Sequence, residues 1–424
     1  MQQPAHTLVA PGTLRLSGVG VFFYVFLPFA LGHFLSSLLR NVNSVLASHL
    51  TGALALTPAQ LGLLTSAFFF GFALVQLPVG MALDRYGPRR VQVALLLLAS
   101  GGALLFAHCS SFYGLLAARA IMGCGLGGCF MGAVKAISTW VAPNRLPSVH
   151  GYLIAVGGMG AASATMPVRA VLDHTDWRGL FLLLAALVAC TGLLIALLYP
   201  KADGPAARRG PLLPALREVW RAPSFRAVAS LVLIPHAVFF GVQGLWVGRW
   251  LSDAGRFSEP AVAYLLYLSM AALVFGAIAV GMITEWAGRR GMPPLDVAAA
   301  GITFFVLVQA AFVVGHRPSF AMLSVMFALV GTITGIEYAI VAQSMPRELT
   351  GRAATFLNLL IFIGAFLVQA GFGLVIGLWQ PDLLGRAPPE AYRVAFALLV
   401  LIQVPGLWRY ARRRAADAGG LAQP

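Results

Sequence analysis

The chain has 424 residues, of which 59% are hydrophobic and only 10% charged, with a mean hydropathy of +0.84 and a formal net charge of +15. No soluble domain of this length needs so much apolar surface, whereas a helical bundle solvated by lipid does. The basic excess invites a nucleic-acid reading, which the distribution of the charge excludes.

Apolar stretches long enough to cross about 30 Å of hydrocarbon run near residues 18–49, 58–82, 91–109, 113–141, 149–171 and 178–199. They resume near 225–252, 260–284, 294–315, 319–344, 351–378 and 391–410. Backbone polar groups in lipid must bond within their own segment, so all twelve are expected as helices. The expected fold is an all-α polytopic membrane protein: a six-helix bundle over 1–199, a loop over 200–224, and a second bundle with a short basic tail over 225–424. The joint begins at Lys201-Ala-Asp-Gly-Pro and is polar and rich in Pro and Gly. A basic stretch follows it to Arg226 and is expected on the inner membrane surface. The first segment exceeds a signal-peptide core, and only Arg15 precedes it among charged side chains, so a retained helix is expected.

With the N-terminus in the cytoplasm, the inner loops and tail collect Arg85, Arg89, Arg90, Arg145, Lys201, Arg208, Arg209, Arg289, Arg290, Arg347, Arg412, Arg413 and Arg414. The outer loops hold mainly Arg178, Arg256, Arg317 and Arg386, interspersed with Asp173, Asp176, Asp253, Glu259 and Asp382. This bias places both termini in the cytoplasm, and a bacterial inner membrane is expected. The basic charge orients the chain and meets anionic headgroups; no nucleic-acid partner is implied. Cys109, Cys124, Cys129 and Cys190 lie in or beside predicted helices without disulfide or zinc spacing, and read as small packing residues. No metal and no cofactor are expected.

One phrase occurs twice, about two hundred residues apart: Gly80-Met-Ala-Leu-Asp84-Arg85-Tyr-Gly87-Pro-Arg89-Arg90, and Gly281-Met-Ile-Thr-Glu285-Trp-Ala-Gly288-Arg289-Arg290. Each copy joins one apolar segment to the next. Ser148 and Thr350, expected as helix N-caps of segments five and eleven, and the preceding Pro143-Asn-Arg145 and Pro346-Arg347, repeat at nearly the same interval. Two homologous halves in a membrane protein imply a transporter with its site between them.

The chain resembles the major facilitator superfamily over nearly its whole length. That family's signature between helices two and three is matched by Gly80, Asp84, Arg85, Gly87, Arg89 and Arg90, departing only at Pro88; a second element, in helix four, is matched by Arg119, Gly123 and Gly125. The resemblance implies a carrier that alternates access between two bundles. It also implies that Asp84 faces the start of helix eleven near Gly351, with Glu285 facing helix five at Ser148 by pseudo-symmetry. Arg85, Arg89, Arg90 and Arg289 would complete a cytoplasmic gate. The glycines of segment four, Gly123 to Gly132, are expected to face Gly157, Gly158 and Gly160 of segment five.

In this fold helices one, four, seven and ten line the cavity, and ionisable residues there are costly. Arg40, Arg119, Lys135 and Glu337 are the principal ones. Arg40, Asn43, Lys135, Gln243, Tyr338 and Asn358 are expected to bind substrate, and Glu337, the only acid well inside a span, to couple protons. The plain alternative is a structural Lys135–Glu337 ion pair between the halves. Arg119 is expected to hold carbonyls, and His33 and His236 to be packed polar residues. Arg40-Asn41 resembles organophosphate:phosphate antiporters, but Phe240-Gly-Val-Gln243 lacks their helix-seven arginine. Gly157-Gly158-Met-Gly160 resembles nitrate porters, yet helices two and eight carry no interior arginine. Met166-Pro167 lacks the helix-five signature of drug/proton antiporters.

The expected function is proton-coupled transport of a small organic anion or amphoteric metabolite by a monomer, with small-molecule substrate, protons and lipid as partners. A soft-metal carrier is the second reading, on Met122, Cys124, Cys129, Met131, Met322 and Met326. A non-transporting receptor on the same fold is the third. No hydrolase or nucleotide-binding constellation appears, so an enzyme is not expected.

Overall fold

The computed structural model describes residues 17–142, 145–200, 212–382 and 384–420. Arg15, Pro143-Asn144, and Lys201, Arg208 and Arg209 of the joint lie outside them, as do the side chains of Arg347 and Glu348. Eleven helices among the described residues are long and apolar enough to cross a membrane, and Pro58–Leu74 is a shorter apolar one.

Segment one comprises Gly18–Val21, Phe22–Phe26, Leu27–Asn41 and Asn43–Leu54. Segment two is Pro58–Leu74 and runs on into Gln76–His108, which also holds segment three. Segments four to six are Phe112–Leu126 with Cys129–Trp140, Leu146–Ser163 with Met166–Leu172, and Trp177–Leu198. The helix Leu212–Arg221 precedes segment seven, Pro223–Gln243 with Trp246–Asp253. Segments eight and nine are Glu259–Arg289 and Pro294–Val314. Segment ten is Phe320–Gly331, Thr332–Gly335 and Ile336–Ser344, followed by Arg347–Ile376 and Pro389–Gly420.

The starts follow side-chain capping. Thr57 and Gln60 form a capping box, and Ser111 and Asp176 accept from Gly114 and Gly179. Ser148 and Thr350 are not caps. Those helices begin earlier, after Arg145 and Pro346, and Thr350 Oγ1 instead donates back to the Pro346 carbonyl at 3.1 Å. In segment five a proline in the first turn fixes φ and needs no amide partner there, and in segment eleven the N-cap is itself Pro346, so both helices start upstream of the expected caps.

The turn between segments two and three rests on Gly87, at φ 76°, with Pro88 opening segment three. Left-handed backbone of this kind favours glycine because it has no Cβ. In the second copy the left-handed residue is Gly291, at φ 77°, not the equivalent Gly288.

Small residues set the helix packing, but not as the repeat suggested. A Cβ on Gly123 would strike the Phe68 carbonyl of segment two, and one on Gly125 would lie 2.6 Å from Leu95 O of segment three. Gly157 and Gly160 pack on His33 and on the Phe34 carbonyl of segment one. Segment four therefore grips two and three while segment five grips one, so the two glycine clusters do not face each other. Close backbone approach in lipid needs such residues because dispersion, not water exclusion, drives packing there.

The seam between the halves runs along segments two and eleven. Phe70 meets Phe366, and Phe72 lies 4.2 Å from Phe362. Gly62 lets the Gln369 carbonyl approach to 3.0 Å of its Cβ direction. The helix Leu212–Arg221 turns Ala215, Leu216 and Val219 inward, and its Trp220 ring packs on Phe225 and Phe356.

All four segments expected to line the cavity are interrupted at related depths: at Val42, at Gly127–Gly128, at Gly244–Leu245, and in the 3₁₀ turn Thr332–Gly335. The freed carbonyls need partners in a medium without water. Arg119 Nη1 serves Leu39 O at 3.1 Å, Ser36 serves Leu126 O at 3.2 Å, and Gln76 serves Gly127 O at 3.2 Å.

Candidate functional site

Arg40 stands at the end of the helix before the first interruption. Its guanidinium lies 5.1 Å from the ring centroid of Phe240 on segment seven, so a first-half cation rests on a second-half aromatic face. Its other contact is long, 3.4 Å to Ser37 Oγ. Phe240 stacks at 5.4 Å on Phe362 and lies 4.7 Å from the His236 ring. The cation is therefore framed by rings and stays partly accessible.

Glu337 is fully buried and takes a hydrogen bond from His236 Nδ1 at 2.5 Å. Its Oε2 meets no partner. Segment ten can present this acid inward because the 3₁₀ turn just before it rotates the following helix; Gly335 in that turn faces open space. The next residue, Tyr338, donates to Asn358 Oδ1 at 2.7 Å, and Asn358 Nδ2 donates to Gln76 Oε1 at 2.8 Å. Gln76 Nε2 in turn bonds the Phe72 and Gly127 carbonyls. One chain of hydrogen bonds thus crosses the seam from segment ten through eleven and two to the interruption of segment four.

Lys135 does not join this cluster. It pairs with Asp84 at 2.9 Å, both on the first half, so the Lys135–Glu337 ion pair does not form and His236 takes that place. The two residues converge because Lys135 follows the segment-four interruption by about two turns, which brings it to the end of segment two. Gly80, one turn before Asp84, lies 4.0 Å in its Cβ direction from Thr355 Cγ2 of segment eleven. Arg89 bonds the Ala196 carbonyl of segment six, Arg85 lies over Tyr86, and Arg90 is exposed.

Glu285 bonds Arg289 at 2.6 Å, one turn on in its own helix, and among the described residues does not reach segment five. The Cβ directions of Gly151 on segment five and Gly281 on segment eight meet nothing within 4 Å, while Gly158, farther along segment five, packs on Val274 of segment eight. At the opposite end the halves are joined. Arg169 of segment five pairs with Glu259 of segment eight at 2.6 Å, and Gly248 lets the Ser44 carbonyl approach to 3.0 Å. The cavity there, among Ser44, Ser48, Arg169, Arg249 and Glu259, holds about 30 Å³, room for about two waters.

Arg119 is fully buried over the Phe68 ring at 5.1 Å, with Leu39 O as its partner. His33 packs on Phe130 and Gly157. Asn43 donates to Thr65 at 3.0 Å. Gln243 is buried without a hydrogen-bond partner. The soft ligands scatter: Met122 packs on Gly102, Cys129 takes a contact from Gln92, and Met322 is exposed. Sequence reasoning missed Gln76 and Gln369; their signal was a glutamine inside an otherwise apolar span, the same cost argument that singled out the charges.

An all-helical chain whose membrane-length helices meet over a buried polar cluster has the architecture of a membrane transporter. The chain belongs to the Major Facilitator Superfamily, whose profile matches residues 29–369. It is 24% identical over 381 residues to the "Probable sulfoacetate transporter SauU" of Cupriavidus necator, covering 83% of this chain and 84% of that one. It is 26% identical over 344 residues to a gentisate transporter of Corynebacterium glutamicum, covering 76% and 74% of the two chains. To the niacin transporter NiaP of Acinetobacter baylyi it is 24% identical over 326 residues, covering 69% and 74%. Among solved structures, a bacterial homolog of the human lysosomal transporter Spinster, inward-facing and unoccupied, superposes with a TM-score of 0.76 at 19% identity, over 93% of this chain and 97% of that one.

Proposed function

We propose that this transporter moves a small organic anion together with protons, using Arg40 to hold the anion and the His236–Glu337 pair to hold the proton. The observation that carries the reading is the position of Glu337. It is a buried acid one residue from Tyr338, whose hydrogen bond opens the chain that crosses to the other half. Taking up or giving up a proton there changes the charge beside the inter-half contact, and charge in a dry site is felt strongly. Arg40, framed by rings and only loosely bonded, is free to take a carboxylate or sulfonate. The relatives named for sulfoacetate, gentisate and niacin support an organic acid as substrate.

The bundles over 1–199 and 225–424 would rock about the seam. Closure at the Arg169–Glu259 end, with open space beside Gly151 and Gly281, supports access from the side of the termini. The charge distribution supports that side as the cytoplasmic one, and the bacterial relatives support an inner membrane. Asp84, Lys135 and the neighbouring arginines form the gate on that side, in a protein that works as a monomer.

The test is uptake of a labelled organic acid into proteoliposomes under an imposed pH gradient. Glu337→Gln is expected to abolish the dependence on the gradient while leaving exchange of the acid. Gradient-driven uptake that persists in Glu337→Gln refutes the coupling assignment.

A further inference from the structure

The interruptions of segments one and seven face each other at the depth of Arg40, and side chains at both carry hydrogen-bonding atoms that no protein group meets. Asn43 uses Nδ2 on Thr65, while its Oδ1 is unbonded and fully buried. Gln243, the last residue before the break in segment seven, is buried with neither Oε1 nor Nε2 bonded. Gln369 of segment eleven is 0% exposed and its whole side-chain amide is likewise unmet.

The backbone brings these groups to the seam. The Cβ direction of Gly244 passes 3.7 Å from Gln369 Nε2 and 3.9 Å from the Arg40 carbonyl oxygen. The Gln369 amide therefore reaches the junction of the halves beside Arg40's own backbone. It is held there by its main chain, since Trp246 Nε1 donates to Gln369 O at 3.0 Å. Buried amides left unpaired are costly, and natural interiors pair them or use them. Here the unmet Asn43 Oδ1 and the Gln243 amide sit at the facing interruptions of segments one and seven, and the Gln369 amide reaches the same junction from segment eleven, where carriers of this architecture place ligand contacts.

We propose that Asn43, Gln243 and Gln369 form a second binding subsite, for an uncharged hydrogen-bonding group of the substrate such as a hydroxyl or a carboxamide. The substrate class is then an organic acid with a neutral polar group at a distance from its anionic end. Amides supply both donors and acceptors and no net charge, which matches a hydroxyl and not a second carboxylate. Arg119, fully buried in the first half over the Phe68 ring, donates through Nη1 to the Leu39 carbonyl, while its Nε and Nη2 meet no protein partner. The proposal rests on Arg40 as the anion anchor.

The experiment measures affinities of the purified full-length protein for two matched pairs, benzoate with 3-hydroxybenzoate and propanoate with 3-hydroxypropanoate. In the unaltered protein the hydroxylated member of at least one pair is expected to bind about tenfold more tightly. Gln243→Met and Gln369→Met are each expected to bring that ratio to within about twofold, with the plain acid bound as before. Equal affinities within both pairs in the unaltered protein overturn the subsite, and that comparison needs no variant. A ratio retained in both variants overturns it equally. Binding of all four acids unchanged by Arg40→Gln, or no binding of any, overturns the anion anchor instead, and the subsite with it.

Discussion

Replacing His236 by Leu isolates the energetics of the buried pair. The substitution removes the one hydrogen bond that Glu337 Oε1 accepts, at 2.5 Å, and leaves a fully buried carboxyl whose Oε2 was already without a partner. Breaking a buried pair from one side costs roughly 3–5 kcal/mol, because the penalty is the stranded charge and not the lost bond. Removing both partners is different. With His236→Leu and Glu337→Met together, two groups of similar size become apolar, and the double variant is expected within about 1 kcal/mol of the unaltered protein. Reversible unfolding in mixed micelles gives all three free energies, and the double variant is expected to be roughly 2–4 kcal/mol more stable than His236→Leu alone. Gradient-driven uptake is expected to be absent from both variants. A double variant as unstable as His236→Leu alone would refute the reasoning, since the cost would then lie in packing around the imidazole.

Asp84→Asn breaks a half-exposed ion pair, so its stability cost is expected to stay below about 1 kcal/mol, while uptake falls more than tenfold; normal uptake in proteoliposomes would remove Asp84 from the gate. Gly123→Ala would place a Cβ against the Phe68 backbone, 2.9 Å from its carbonyl carbon and closer to the oxygen, and backbone cannot step aside. A loss of about 1–3 kcal/mol is expected, against less than about 0.5 kcal/mol for Gly281→Ala, where the added atom meets nothing within 4 Å; equal losses on unfolding would refute the packing account. Asp382 is held below the usual aspartate value of 3.8, first by the hydrogen bond from Arg256 and next by the Arg386 amide. A lowered carboxyl stabilises its loop above that value and loses the effect as pH falls through its own. Proteolytic nicking around Asp382 is therefore expected to rise only below about pH 4, and Asp382→Asn should be nicked equally at all pH values.

The spans were legible because lipid forces long apolar helices, and the doubled Gly-x-x-x-acid phrase exposed the two halves. Glu337 stood out for a similar reason: one acid in an apolar segment is expensive. Its partner did not. His236 lies 101 residues away and looks like any packed imidazole until the 3₁₀ turn at Thr332–Gly335 aims Glu337 at it. Lys135 was assigned to the cavity from its segment alone, and the break at Gly127–Gly128 sends it to Asp84 instead. The glycines that interrupt segments four, seven and ten were visible, but a glycine in a membrane helix serves close packing as readily as a bend. Only the backbone decides between the two. Glu285 pairs with Arg289 of its own helix because pseudo-symmetry describes the sequence and not the conformation.

The two corners of the duplicated phrase are built differently. At the first, a single left-handed residue, Gly87, is followed at once by Pro88, whose ring fixes its own φ. Segments two and three are thus joined as a rigid elbow, with Arg89 clamping the second arm to segment six. At the second, the left-handed residue is Gly291, whose amide bonds the Gly288 carbonyl at 3.0 Å while the Met292 amide bonds the Ala287 carbonyl at 3.0 Å, and Pro293 and Pro294 fix φ where helix resumes. The first corner is thus tied into a neighbouring helix, while the second is closed by its own backbone.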